Sequence, residues 1–296
     1  MMVVRPSQVV SNLGYSPMNK LIRSLLLQSP RTYELVHNLK NKHFINFYLK
    51  KVHEPDFNAI KLICPNASAL FLDIGANVGM SALSIFTLKS QARVISFEPN
   101  PINYPYLERL NQRFEGFRYI NAGLGSEAGT LDFYYPIYNG KEMTALGSCD
   151  YEKAKSWLNS NTVYFFDPEK LKIAKIAVEI RTLDSFELKP DFIKIDVEGF
   201  EHQVLLGAAK TINTHRPLLL IEGIAQGDAV HQQLQSWNYD IYKFEGNKFY
   251  LNRFDCANNF LIPREKTSLV TPFLGERSMQ PEVDVLQPQT DLSIID

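Results

Sequence analysis

The chain has 296 residues, 45% of them hydrophobic and 21% charged, and a formal net charge of -1. That length holds one large domain or a core with a small accessory part, and the near-neutral charge gives no positive field to draw in nucleic acid or an anionic membrane. No stretch approaches the roughly 18 uninterrupted apolar residues of a membrane span, the N-terminus lacks the pattern of a signal peptide, and Cys64, Cys149 and Cys256 are scattered without metal-type spacing, so a soluble cytoplasmic protein without nucleic-acid partners is expected.

Residues 16–50 carry a helical pattern. Leu21, Ile22, Leu25 and Leu26 recur at helical spacing, Pro30 interrupts, and Tyr33, Leu35, Val36 and Leu39 begin a second run. A stripe of this kind packs on its own domain more often than on a membrane surface.

From Leu70 the pattern becomes alternating strands and helices. Strands are expected at 69–74, 94–97, 118–121, 192–195 and 218–221, with helical runs between them around Ile85, Leu110, Leu205 and Leu234. Strands apolar along their whole length suit a parallel sheet covered on both faces, so the fold class is α/β, an open, doubly wound sheet. Tyr239–Phe244 and Phe249–Arg253, separated by a Glu-Gly-Asn-Lys turn, predict an antiparallel hairpin at one edge. The expected organisation is an N-terminal helical segment (1–60), a main domain (61–265) and a loose tail (266–296). Residues 137–177 break the rhythm as a polar insertion too long for a plain connection.

The stretch Phe71-Leu-Asp-Ile-Gly-Ala-Asn-Val-Gly79 runs from a strand into a helix. Ligands of parallel sheets bind outside the carboxyl ends of the strands. Gly75 and Gly79 there permit close approach to the backbone, and Asn77 tolerates positive φ. The dinucleotide fingerprint G-x-G-x-x-G is not met, which disfavours an NAD(P)-dependent oxidoreductase on the same architecture. Asp73 in front of the turn would repel a phosphate and suits a cation, such as the charged portion of S-adenosyl-L-methionine. Glu98 follows the next strand, about 20 residues beyond the turn, where a carboxylate can accept ribose hydroxyls.

At this point the chain resembles the FkbM-type S-adenosylmethionine-dependent methyltransferases. The matching blocks are the glycine turn, Phe97-Glu-Pro-Asn-Pro101, Thr182-Leu-Asp-Ser185, Phe192-Ile-Lys-Ile-Asp-Val-Glu-Gly199 and Leu205-Leu-Gly-Ala208, spanning roughly residues 70–225. The resemblance implies a Rossmann-like, mostly parallel seven-stranded sheet and O-methylation of a sugar, glycoconjugate or natural product. It places the methionine end of the cofactor at Asp73, Gly75, Asn77 and Gly79, the ribose at Glu98, and the adenine near Pro99, Asn100 and the Gly123–Ser126 turn.

A hydroxyl acceptor must be aligned with the methyl donor and relieved of its proton. Candidates cluster in Asp196-Val-Glu198-Gly-Phe-Glu201-His202, where charges follow a buried run abruptly. Asp196 is the first choice for base or orienter, and Glu222, ending the next strand, is its partner. Glu198 also suits a helix N-terminus. His202 has a base's intrinsic pKa, although a lone histidine one turn into a helix is more often a surface residue. Asp196, Glu198 and Glu222 together could hold Mg2+. Lys194, inside the strand, needs an acid such as Asp73 or Asp196. The insertion is expected to choose a small-molecule or glycan acceptor, with Tyr134, Tyr135, Tyr138, Trp157, Tyr164, Phe165 and Phe166 as stacking surfaces or as core, and Thr144–Ser148 as a lid. A non-catalytic binding protein with this fold is disfavoured by the joint presence of Asp73, Glu98 and Asp196.

Overall fold

A strand without a polar face needs cover on both sides, and the computed structural model supplies it. Residues 51–143 and 146–275 are described, together with Lys20, Leu21, Ser24, Leu25, Leu27, Ile45, Asn46 and Leu49. Most of the expected helical segment 16–50, the tail beyond Gly275, and Thr144 and Ala145 of the expected lid lie outside the described residues. Lys20, Leu21, Ser24, Leu25 and Leu27 are helical, as are Ile45 and Asn46.

In chain order the strands are β1 (Leu70–Ile74), β2 (Arg93–Phe97), β3 (Phe117–Ile120), β4 (Gly123–Leu124), β5 (Gly129–Tyr138), β6 (Lys141–Glu142), β7 (Leu171–Arg181), β8 (Phe192–Ile195), β9 (Leu218–Glu222), β10 (Tyr239–Glu245), β11 (Lys248–Leu251) and β12 (Asn258–Pro263). The helices are α1 (Ile60–Ile63), α2 (Met80–Leu88), α3 (Tyr104–Arg113), α4 (Tyr151–Ser156), α5 (Glu201–Gly207), α6 (Ala209–His215) and α7 (Ala229–Ser236).

The main sheet has eight strands in the order β11-β10-β12-β9-β8-β1-β2-β3. The five from β9 to β3 are mutually parallel, and β12 pairs antiparallel with both β9 and β10. The doubly wound α/β expectation holds, with one strand more than the expected seven. The β10–β11 hairpin does close an edge, but β12 inserts between it and β9, a strand with no counterpart in the sequence reading. Helices cover both faces. Phe71, Val94, Phe192 and Phe260 pack against Leu83 and Ile85 of α2, Leu107 and Leu110 of α3, and Phe57, Ile60 and Ile63. Leu72, Ile193, Ile195 and Leu219 pack against Val204, Ile212 and Leu234 of α5, α6 and α7. Residues 55–60, placed in the N-terminal segment by sequence, thus share the main core. Among the described residues, no helix is long and apolar enough to cross a membrane.

The region read as an unpatterned insertion is flanked by strands. β5 and β7 pair antiparallel over ten residues, from Gly129↔Ile180 to Tyr138↔Leu171, in a second sheet of order β4-β7-β5-β6. The pairing of Gly123 with Ile180 joins this sheet to the chain leaving β3. Tyr135 and Tyr138 of the expected stacking set are buried, the latter stacked on Phe166, which is the core reading.

Candidate active site

Chain order reverses at β1, flanked by β2 on one side and β8 on the other, and the candidate site lies at their carboxyl ends. Past β1, the N–H groups of Gly75 and Ala76 both donate to the Phe97 carbonyl at 3.0 Å, turning the chain sharply. Gly75 takes φ +84°, and a Cβ built there would overlap the Asp196 carbonyl oxygen. Glycine is therefore demanded by the neighbouring strand as well as by any ligand. Asn77 also sits at positive φ, 49°, and its N–H donates 2.7 Å to Glu98 Oε2. Its side-chain Oδ1 is buried with no partner.

Glu98 caps β2 and is 5% exposed. Oε1 accepts from the Asn100 N–H at 2.8 Å and from Asn103 Nδ2 at 3.2 Å. Burial pushes the carboxyl up to about 7, against the pull of these donors and the Asn77 N–H. The carboxylate is thus fixed by the turns before and after it.

One pocket gathers much of the expected cofactor set. Gly75, Asn77, Glu98 and Pro99 line it from β1 and β2, Gly123 and Leu124 from β4, and Asp196, Val197, Glu198 and Phe200 from the segment after β8. Phe133 and Ile180 of the second sheet complete it with Gly147 and Cys149; of these only Gly147, inside the expected Thr144–Ser148 lid, had a sequence signal. Gly79, Asn100, Ser126, His202 and Glu222 lie outside the lining. Gly79 packs against Leu110, Asn100 accepts from the Ile102 N–H at 3.1 Å, Ser126 is exposed, and His202 is half-buried on α5.

Asp73 is not in the lining either; it is wholly buried beneath the pocket. Alternation along β1 puts it on the face of Ser96 and Lys194, its register partners. Ser96 Oγ donates 3.0 Å to Oδ2, and Oδ1 has no partner. Burial raises its pKa, and the Lys194 charge opposes the rise.

Lys194 is 3% exposed and donates 2.7 Å to Asp196 Oδ2. Burial alone would raise the Asp196 pKa, yet the adjacent ammonium holds it below the ordinary carboxylate range. Glu222 goes the other way, raised by burial and by Asp196 beside it, so Asp196 is the member that ionises and Glu222 the one that keeps a proton. Glu198 pairs with Lys153 Nζ at 3.0 Å. Single oxygens of Asp196, Glu198 and Glu222 all lie within 4.8 Å of one another.

The N-terminal segment adds polar groups that sequence reasoning did not find. His53 Nδ1 is 2.8 Å from Ser84 Oγ, and burial, helped by Lys194, lowers its pKa to about 4. Asn258, opposite Glu222 in register, donates from Nδ2 to Glu54 Oε2 at 3.0 Å and Asp56 Oδ2 at 3.2 Å.

Residues 73–241 match the family described as the methyltransferase FkbM domain. The chain belongs to the FkbM methyltransferase family. To methyltransferase sdnD of Sordaria araneosa it is 31% identical over 160 residues, covering 48% of this chain and 61% of that one. To 2-O-methyltransferase NoeI of Sinorhizobium fredii it is 27% identical over 154 residues, covering 50% and 60%. The chain therefore spans about three fifths of the length of these curated relatives. Among solved structures, methyltransferase FkbM of Methylobacillus flagellatus aligns with a TM-score of 0.43 at 18% identity, over 73% of this chain and 50% of that one. The glycine turn, Glu98, Asp196 and Glu222 fall inside the FkbM match; His53, Glu54 and Asn258 fall outside it.

Proposed function

We propose that this chain is an S-adenosylmethionine-dependent O-methyltransferase acting on a hydroxyl of a sugar, a glycoconjugate or another small natural product. The observation that carries the reading is a single pocket in which the glycine turn, Glu98 and Asp196 meet at adjacent strand ends. Its donor set fits the cofactor. Glu98 can accept ribose hydroxyls, the buried and unpartnered Asn77 Oδ1 is an acceptor available to an amine, and Phe97, Leu124, Phe133, Ile180 and Phe200 form an apolar wall suited to adenine. The name of NoeI supports the O-methyl reading.

When bound, S-adenosylmethionine supplies an activated methyl group with its leaving group built in. The chain must orient the acceptor oxygen and remove its proton. Asp196, kept ionised by Lys194, is a good hydrogen-bond acceptor and a poor base, so it orients the acceptor hydroxyl. Glu222 has the higher proton affinity and, once ionised, receives the proton. Asp73 is a positioning group that acts through Lys194. Glu198 stands in the pocket wall, whereas His202, the second residue of α5, lies outside the lining.

A second reading, Mg2+ held by Asp196, Glu198 and Glu222, is favoured by the closeness of their oxygens. Against it, Lys194 and Lys153 already balance two of the three carboxyls, and a metal would compete with both. Turnover with and without a chelator separates the two readings.

Calorimetry with S-adenosylhomocysteine, the demethylated cofactor, tests the proposal directly. Binding is expected, NAD should not bind, and ligand at a hundred times its dissociation constant should add about 2.7 kcal/mol to folding stability. A folded protein that binds neither adenosyl compound would overturn the reading. Methyl-donor consumption against a panel of glycans and hydroxylated metabolites then identifies the acceptor.

A further inference from the structure

The pocket has two halves that come from different sheets. One is carried by β1, β2 and the Val197–Phe200 turn after β8, and the other by β5, β7 and the segment around Cys149. Three of the four residues in the turn, Val197, Glu198 and Phe200, line the pocket. Its backbone is unusual, because Glu198 and Gly199 are consecutive residues at positive φ, +56° and +99°. A side-chain-bearing residue adopts that conformation only where its surroundings hold it there.

Within the turn the Gly199 N–H donates 2.9 Å to Glu201 Oε1, and from α4 Lys153 Nζ reaches to 3.0 Å from Glu198 Oε2. A Cβ built on Gly199 would lie 3.5 Å from the same Nζ, so the ammonium sits directly over the turn. The helix that carries Lys153 is itself anchored. Asp150 Oδ1 caps α4 by accepting from the Lys153 N–H at 3.0 Å, and the Asp150 N–H donates 3.1 Å to Ser148 Oγ. Ser148 exchanges two backbone hydrogen bonds with Tyr134 of β5, 2.8 and 2.9 Å. Gly147 and Cys149, which flank Ser148, are the residues that face the pocket. A continuous chain of contacts therefore runs from β5 through Ser148, Asp150 and Lys153 to Glu198, two residues before Phe200 in the same turn.

We propose that Lys153 is a positioning residue of the cofactor pocket. Its ion pair with Glu198 ties the second sheet to the Val197–Phe200 turn and so sets the spacing of the apolar walls, Phe200 on one side and Phe133 with Ile180 on the other. The excursion between β5 and β7 then serves the adenosyl group, in addition to any part it takes in choosing an acceptor. The inference rests on the adenosyl-cofactor reading above.

Its test is binding of S-adenosylhomocysteine to the full chain, by calorimetry and stopped flow, for wild type, Lys153→Met, Lys153→Arg and Lys155→Met. Lys155 is exposed on the same helix, so its variant removes the same charge without touching the turn. Lys153→Met should weaken binding by about two- to fivefold, the range of a half-exposed ion pair, chiefly through faster dissociation. Lys153→Arg should restore most of the loss, and Lys155→Met should match wild type. Added salt should weaken wild type towards the Lys153→Met value while leaving that variant nearly unchanged, a response that simple loss of packing would not give. If Lys153→Met is poorly folded, Glu198→Gln breaks the same pair and should show the same faster dissociation. Wild-type affinity and dissociation rate in Lys153→Met, or equal weakening in Lys155→Met, would overturn the proposal while leaving the cofactor reading intact. Failure of wild type to bind S-adenosylhomocysteine would overturn both.

Discussion

Lys194 and Asp196, two residues apart on one strand end, are joined by a 2.7 Å hydrogen bond, with the fully buried Asp73 beside Lys194 in register. One ammonium thus serves two carboxyls, and taking it away strands both in a low-dielectric setting. Lys194→Met should cost about 3–5 kcal/mol, the range for breaking a buried pair from one side. Urea unfolding measures this, and an unchanged midpoint would show that Asp73 and Asp196 do not depend on Lys194. Where the variant still folds, the Asp196 pKa should rise.

Glu98 sets a pH dependence with two opposite slopes. Its folded pKa is raised to about 7 from an ordinary 4.5, so its proton favours the ligand-free fold fully below the unfolded value, and that contribution is lost as pH rises through about 7. Ribose hydroxyls donate best to the ionised carboxylate. Affinity for S-adenosylhomocysteine should therefore increase from pH 5.5 to 8, by up to about tenfold per unit below 7. Glu98→Gln should bind more weakly and lose most of this dependence. A flat affinity profile for wild type would remove Glu98 from ribose recognition.

For Glu222 the readout is turnover. Burial and the neighbouring Asp196 raise its pKa, and only its ionised form can receive the acceptor proton, so the rate should climb with pH well past neutrality and level off once Glu222 is ionised. Glu222→Gln should bind S-adenosylhomocysteine like wild type and lose turnover by at least about 100-fold. Wild-type turnover in that variant would make Glu222 a bystander to the chemistry.

How far such roles could be read from sequence depended on whether the physical cause was local. β1, β2, β8 and β9 were legible because burial on both faces writes mostly apolar runs, interrupted inside the strands by Asp73, Ser96 and Lys194 alone. β12 was not, since Asn258 and Asn259 open it and Pro263 closes it. Their side-chain NH2 groups donate to the Arg253 carbonyl and to Glu54 and Asp56, partners that no local pattern records, while Asn259 Oδ1 is buried without one. Gly75, Asn77, Glu98, Pro99, Asp196 and Glu198, all drawn from the motifs, line one pocket. Asp73 was expected to face the ligand, although the two-residue period of a strand already put it on the face opposite Ile74. The Phe133–Ile180 wall depends on the β5–β7 ladder, and only that register brings together residues so distant in the chain.

The two glycines of the turn separate backbone strain from steric overlap. Both have positive φ, +84° at Gly75 and +88° at Gly79. A Cβ at Gly75 would meet the carbonyl of Asp196, the residue just past β8 whose N–H donates 3.0 Å to the Ile74 carbonyl, whereas one at Gly79 would lie 2.8 Å from Leu110 Cδ2, the end of a side chain that can rotate. Gly79→Ala should cost about 1–2 kcal/mol, the penalty of the left-handed conformation, and keep adenosyl binding. Gly75→Ala adds displacement of β8 at Asp196 and should lose about 3 kcal/mol or more, together with binding. Measured side by side in urea and by calorimetry, equal losses from the two variants would mean that conformation alone sets the requirement, and that the Gly75–Asp196 contact does not hold the pocket in register.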